Sequence, residues 1–234
     1  EALMRWQGRD GAWVRPDVFI AAAEAEGMII PLTQHLLELI AEDVNQWEVQ
    51  PGFHLGINVA AEHLQHPCFV SDIRQFAAAM AHKSLIIVLE LTERSLISKG
   101  QEVAEKLALL RREGIKIAID DFGTGNSSLS YLQTFELDYL KIDRGFINAI
   151  ESVDGETPVL DAIINLSHKL ALQVLGEGVE TSMQLKYLHN HGVTLIQGYL
   201  YARPMNSEAL AHWLQNEGRV PLIANPSGDA AALL

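Results

Sequence analysis

A single cysteine, Cys68, serves the whole chain. No internal disulfide framework is available, and the composition fits a reducing compartment. Long apolar runs are also missing. Leu85-Ile86-Ile87-Val88-Leu89 is interrupted after five residues, against the roughly 18 that a bilayer span requires. No basic segment leading into an apolar stretch opens the chain, so a secretory leader is not expected. Positive charge is scarce as well: 17 Lys and Arg stand against 30 Asp and Glu, a net charge of −13. That balance argues against a duplex-DNA or anionic-membrane binder, which needs a basic face. It leaves room for a small phosphate ester whose charge is met by bound metal. What is present is an ordinary globular mixture, 48% hydrophobic and 20% charged, which excludes a disordered chain. At 234 residues the chain can bury a sizeable core unaided. It opens on Glu1 rather than Met, and is expected to be a piece of something longer.

Short β-rich runs alternate with helical patterns almost to the end. Strands are expected at Glu1–Arg5, His54–Val59, Leu85–Leu91, Ile115–Asp120, Tyr139–Ile142, Leu172–Leu175 and Thr194–Gln197. Most are near-continuous Ile, Val and Leu, as in a sheet covered on both faces. Helices are expected at Val18–Glu26, Thr33–Trp47, Val70–His82, Gln101–Arg112, Thr157–Leu170, Ser182–His191 and Ser207–Gln215. Gly27, Gly114 and Gly192 are placed as stops, and Ser207 as an N-cap. Alternation of this kind implies parallel strands with crossover helices. The α/β class follows, and the count points to a modified TIM (β/α)8 barrel whose missing N-terminal strand precedes Glu1. A doubly wound open sheet competes, but no Gly-x-Gly-x-x-Gly follows an early strand. Residues 1–216 read as the domain and 217–234 as a C-terminal tail.

The informative feature is where the polar residues fall. Barrel active sites sit at the C-terminal ends of the strands. Here those ends carry Asn58, Glu90, Asp120-Asp121, Lys141 with Asp143, Glu177 and Gln197. One acid at a strand end means little, but a barrel makes all these positions converge. Glu, Asp and Asn oxygens suit hard cations such as Mg²⁺ or Mn²⁺. No cysteine joins the cluster and no His-Glu-x-x-His occurs, which disfavours zinc there. Asp120 can point into the mouth as the last strand residue. Once the chain leaves the strand, Asp121 can point there too, so one can bridge two ions while the other holds the second. Lys141 reads evenly as a phosphate or hydroxide contact and as a structural ion pair with Asp143 or a neighbour. Glu177, flanked by Gly176 and Gly178, can take a proton from water.

Elsewhere the plainer readings prevail. His63 and His66 lie three apart without acids at ligand spacing, and are expected on a helix surface or end. Cys68 reads as a small, unactivated thiol. Trp6, Trp13, Trp47 and Trp213 read as packing anchors, with Trp6 also a candidate for the pocket border.

The ordered motifs resemble the EAL-domain cyclic di-GMP phosphodiesterases. They run from Glu1-Ala2-Leu3-Met4-Arg5-Trp6 through Asn58, Glu90-Leu91-Thr92-Glu93, Asp120-Asp121-Phe122-Gly123-Thr124-Gly125 and Leu140-Lys141-Ile142-Asp143-Arg144. Glu177-Gly178-Val179-Glu180-Thr181 and Gln197-Gly198-Tyr199-Leu200 follow, with the likeness ending at Pro204. The resemblance implies hydrolysis of cyclic di-GMP to linear 5′-pGpG with two Mg²⁺ or Mn²⁺ ions, and Ca²⁺ binding that inhibits. It implies that Glu1, Asn58, Glu90 and Asp120 hold one ion and that Asp120 and Asp121 hold the second. Lys141 and Glu177 would be catalytic, with Lys141 and Gln197 near the attacking water. Leu3, Arg5, Gln197 and Pro204 would meet the substrate. Glu93 would anchor the loop after Asp121. The resemblance also implies a homodimer through residues 121–135, an upstream sensory, membrane or cyclase domain, no duplex nucleic acid, and a cytoplasmic location, tethered at the inner membrane where upstream segments provide it.

Three departures stand out. Asn126 replaces the usual tyrosine, Ala60 replaces a common serine, and the family's preceding strand with its Gln-Pro contact is not in this chain. Without that strand a sheet edge is exposed, and poor solubility or domain swapping is expected of a chain that begins at Glu1. An inactive cyclic di-GMP receptor and an enolate-forming Mg²⁺ barrel enzyme are the competing readings.

Overall fold

The computed structural model describes residues 1–97, 100–123, 131–153 and 155–216. Asn126, residues 124–130 of the expected dimer segment and the tail 217–234 lie outside the described residues. The chain opens with an antiparallel ribbon, β1 (Trp6–Gln7) and β2 (Trp13–Val14), then α1 (Pro16–Ala25) and α2 (Ile29–Asn45). Next come β3 (His54–Asn58), α3 (Ala61–Gln65), α4 (Phe69–Met80), β4 (Ile86–Thr92), α5 (Glu93–Ile97) and α6 (Gly100–Arg112). The second half holds β5 (Lys116–Phe122), α7 (Tyr131–Thr134), β6 (Tyr139–Ile142), α8 (Arg144–Ile147) and α9 (Pro158–Lys169). It ends with β7 (Gln173–Gly176), α10 (Ser182–Asn190), β8 (Leu195–Ile196) and α11 (Ser207–Asn216).

Strands β3 to β8 form one parallel sheet in strict chain order, each pairing with the next. This is the curled sheet of a TIM-like α/β fold, with helices returning the chain between strands. Alternation along each strand separates two cores. Leu55, Ile57, Leu89, Leu91, Ile117 and Ile119 face the helices in the main cluster. Val88, Ala118, Tyr139, Leu175 and Leu195 pack against one another in a separate inner cluster. The inner positions one step further along β4, β5 and β6 are Glu90, Asp120 and Lys141. Apolar filling therefore gives way to charge at the carboxyl ends of the strands.

The first expected strand, Glu1–Arg5, is reduced to a single bridge between Ala2 and Ile57, where Ala2 N donates to Gly56 O at 2.8 Å. The turn Gly8-Arg9-Asp10-Gly11 is the reason. Gly8 N donates to Ala12 O at 2.8 Å and Gly11 takes φ +81°, folding Trp6–Gln7 back on Trp13–Val14. Asp10-Gly11 between two short apolar runs is a hairpin signal that the strand reading passed over. Trp6 and Trp13 are 53% and 68% exposed, so they are not the expected packing anchors, although Trp6 meets Phe19 edge-on. Trp47 is buried.

Helix α2 begins four residues earlier than expected, because Pro31 falls in its first turn, where a missing N–H costs nothing. The cap of α11 is Asn206, whose Oδ1 accepts from Ala209 N at 2.9 Å. Ser207 Oγ instead accepts from Trp47 Nε1 at 3.0 Å. His63 lies in the last turn of α3, a helix end as expected, but it is fully buried, and Asp72 is its partner acid at 3.0 Å.

Candidate active site

Lys141, at an inner position of β6, lies at the centre of the polar layer and is only 2% exposed. Its Nζ lies 2.6 Å from Glu90 Oε2 on β4 and 3.2 Å from Asp120 Oδ2 on β5. It also lies 2.7 Å from Glu177 Oε1 after β7 and 3.7 Å from Glu1 Oε2. The pairing with Asp143 considered from sequence is replaced by these four. Asp143 caps α8 instead, accepting from Gly145 N at 2.8 Å. Glu1 is gripped from both sides. Asn58 Nδ2 donates to its Oε1 at 2.6 Å, and Gln197 Nε2 donates to its Oε2 at 2.9 Å. A small pocket reaches from this layer down to His54 and Tyr139, whose polar tips meet at 2.9 Å.

Asp121 adopts φ +54°, the left-handed region that a non-glycine residue enters at a cost. The pairing of β5 with β6 also shifts register between Ile119 and Phe122. Both breaks in regularity let adjacent aspartates serve one site. Carboxylate oxygens of Asp120, Asp121 and Glu177 all lie within 4.8 Å of one another. Asp121 N donates to Asp120 Oδ1 at 2.9 Å, and Gly123 N donates to Glu93 Oε1 at 3.0 Å, tying the start of the following loop to buried Glu93.

The electrostatics follow from one ammonium facing five acids. Burial pushes Glu90 up to about 8, with Lys141 opposing and Glu1 and Asp120 adding to the rise. Burial pushes Glu177 up to about 7 in the same way, against Lys141 and with Asp120. Asp121 is raised by burial, then by Asp120 and Asp143. Burial alone would raise Glu1 too, but Lys141, Gln197 and Asn58 outweigh it and hold its carboxyl below the usual range. Lys141 resists the loss of charge that burial favours, because four carboxylates keep its ammonium well above its ordinary value. Glu90, Asp121 and Glu177 thus hold protons more tightly than free carboxylates do, since one cation cannot offset their burial and mutual repulsion.

The donors are all oxygen, and Asn58 keeps its amide oxygen available while its nitrogen binds Glu1. That chemistry fits hard divalent cations, and the acidic groups here could hold them. The remaining predicted residues are less gathered. Leu3, Arg5 and Pro204 are exposed, and Arg5 Nη1 donates to Met4 O at 2.9 Å rather than joining the cluster. Gly56 was not singled out from sequence, yet a Cβ there would collide with Glu90 Oε1. A glycine inside an otherwise apolar strand is the signal for such close approach.

The comparisons with known proteins agree with this geometry. The EAL domain family model matches residues 1–204. The chain is 46% identical over 217 residues to the probable cyclic di-GMP phosphodiesterase PdeN of Escherichia coli K12, covering 92% of this chain and 42% of that protein. It is 43% identical over 238 residues to the probable cyclic di-GMP phosphodiesterase PdeD of the same organism, covering 100% of this chain and 43% of the relative. The chain thus spans less than half the length of these curated relatives. Among solved structures, the PaMucR phosphodiesterase in complex with c-di-GMP superposes with a TM-score of 0.75 at 32% identity, covering 88% of this chain and 84% of that one. With its family model matched across most of its length and its acids gathered at the strand ends, the chain belongs to the EAL domain family.

Proposed function

We propose that this chain hydrolyses cyclic di-GMP to linear 5′-pGpG with two Mg²⁺ or Mn²⁺ ions. The observation that carries the reading is the charge of the mouth. Glu1, Glu90, Asp120, Asp121 and Glu177 surround the single ammonium of Lys141. When all are ionised, four negative charges remain unbalanced, the charge of two divalent cations. Relatives named as cyclic di-GMP phosphodiesterases support the substrate. Glu1, Asn58, Glu90 and Asp120 would hold one cation, and Asp120 with Asp121 the other. When bound, the pair supplies charge stabilisation and water activation for phosphoryl displacement.

The chain's own residues do the rest. The water oxygen bonds to phosphorus, the bond from phosphorus to the ribose 3′-oxygen breaks, the water proton passes to Glu177, and the departing 3′-oxygen takes up a proton from solvent to leave as a hydroxyl. A carboxylate raised to about 7 is matched to that task. Lys141 fixes Glu177 Oε1 at 2.7 Å and so orients the accepting oxygen. Gln197 fixes Glu1, and Glu93 fixes Gly123 beside the aspartates. Leu3, Arg5 and Pro204 would border the substrate. A homodimer through residues 121–135, an upstream domain and a cytoplasmic setting belong to the same reading. Among the described residues no helix is long and apolar enough to cross a membrane. Incubating the pure chain with cyclic di-GMP and Mg²⁺ and separating the products tests it. Formation of pGpG is expected. Retention of intact cyclic di-GMP on the protein, without turnover, would replace hydrolysis by a receptor role.

A further inference from the structure

Strand β7 ends at Gly176, and Glu177 stands in the loop that leads on to α10. Lys141 holds its carboxylate at 2.7 Å. Its backbone is held by bare main chain on two sides. A Cβ on Gly198 would collide with the backbone nitrogen, carbonyl carbon and oxygen of Val179. A Cβ on Gly178 would run into Cβ of Arg144, the first residue of α8. Gly178 also takes φ +66°, the left-handed region that suits glycine. We propose that Gly178 and Gly198 are positioning residues for Glu177. Each keeps a side chain out of a gap that only main chain fits, and together they set how far the carboxylate stands from Lys141. The proposal rests on the hydrolytic reading, in which Glu177 accepts the water proton.

Backbone hydrogen bonds determine which groups move together. Glu177 N donates to Ile142 O at 3.1 Å, joining the loop to β6 next to Lys141. Gln197 N donates to Gly176 O at 2.9 Å, and Val179 N donates to Gln197 O at 3.1 Å. Both flanks of Glu177 are thereby tied to the residue that holds Glu1. Leu200 N then donates to Val179 O at 3.0 Å. At the far end of the loop, Gln184 Oε1 accepts from Glu180 N at 2.8 Å and from Thr181 N at 3.1 Å. Val179 cannot retreat from a methyl at position 198, because its own side chain is fully buried and interiors are close-packed. The displacement passes to Glu177, two residues back along the chain.

The two obstacles differ in kind, and the difference separates positioning from packing in general. At Gly198 the obstacle is backbone, which no substitution removes. At Gly178 it is the Arg144 side chain, since Arg144 Cα lies 3.4 Å from the added Cβ, an ordinary contact. Arg144→Gly therefore opens the room that Gly178→Ala needs. Arg144 is exposed, so losing its side chain leaves the core intact.

The test is steady-state hydrolysis of cyclic di-GMP with Mg²⁺, well below the melting temperature of each variant. Gly178→Ala and Gly198→Ala should each lower kcat on the order of 10²-fold, as a misplacement of about 1 Å near reacting groups does, with KM changed less than about threefold. Adding Arg144→Gly should return Gly178→Ala to within about tenfold of the unsubstituted kcat and leave Gly198→Ala slow. On a Glu177→Gln background either alanine should cost less than about a further threefold, because groups that act as a unit are not additive. An undiminished kcat in folded Gly178→Ala protein overturns the proposal, as does a loss that Arg144→Gly fails to restore or that persists in full on Glu177→Gln. Gly178→Ala with its rescue decides the matter where Gly198→Ala does not fold. If the unsubstituted chain leaves cyclic di-GMP intact, the hydrolytic reading fails, and the grip on the loop is judged by amide hydrogen exchange. The Val179 amide should then exchange at least about tenfold faster in Gly198→Ala, and an unchanged rate overturns the grip itself.

Discussion

Strand β6 has Asp138 just before its first residue and Lys141 near its end, and the two charges are surrounded in opposite ways. Asp138 is one carboxylate facing two cations. Arg111 reaches it with Nε and Nη2, both at 2.9 Å, Lys116 Nζ at 3.0 Å and the Ile117 amide at 3.0 Å. Burial alone would raise its carboxyl, but the Arg111, Ile117 and Lys116 bonds outweigh that and hold it below the usual range. Lys141 is one cation facing a ring of acids, two of which are pushed up to about 8 and about 7. The first cluster is balanced by the chain itself and belongs to the fold. The second is left unbalanced by the chain, as a binding site for cations should be.

The sharpest way to break this contrast is at Glu177. Glu177→Gln should lower kcat about 10²- to 10⁴-fold, the range for a general base, while the melting temperature stays the same or rises. A rate near that of the unsubstituted chain would remove Glu177 from the proton path. Gly56→Ala comes next. The new methyl displaces the Glu90 carboxylate, and a shift of that size near reacting groups costs on the order of 10²-fold in kcat/KM. Asp138→Asn should act the other way, lowering stability by about 2 kcal/mol through loss of its part-buried pairs, with kcat unchanged. Denaturant midpoints and initial rates on the same samples separate the two effects.

Acidity gives the smallest and most discriminating effect. Acids raised in the fold add stability that is complete below their unfolded value and disappears as pH climbs through the folded one. Glu90 and Glu177 therefore make the metal-free chain lose stability between pH 4.5 and about 8. Asp138, held low, keeps its contribution throughout that window and surrenders it only at lower pH. Mg²⁺ should flatten the decline seen on the alkaline side and leave the acid limb unaltered. Melting curves at several pH values, with and without Mg²⁺, check this.

Much of the site could be read before the fold, because the strands are nearly pure Ile, Val and Leu and a polar residue at their ends stands out. Asn58, Glu90, Asp120, Lys141 and Gln197 follow from alternation and barrel convergence alone. The partners of Lys141 were harder to see. Sequence offered Asp143, two residues away, or an unspecified neighbour, whereas Glu90 lies on β4 and Glu177 just after β7. The opening segment was misread because its apolar letters suit a strand while the Asp10-Gly11 turn diverts the chain into a ribbon. His63 was misread because its partner acid sits a helix away, at Asp72, and is brought near only by the turn between α3 and α4. Local pattern reports faces and ends well. It reports poorly on which charges meet across a closed surface.

Among the described residues the sheet runs from β3 to β8 without a backbone ladder joining those two edges. Yet Asn58, at the end of β3, and Gln197, just past β8, both grasp the carboxylate of Glu1. The rim is thus fastened by a buckle of three side chains instead of a hinge of amides. Whatever pulls on that carboxylate tightens or slackens the circumference, so ligand capture and the girth of the opening become one mechanical event.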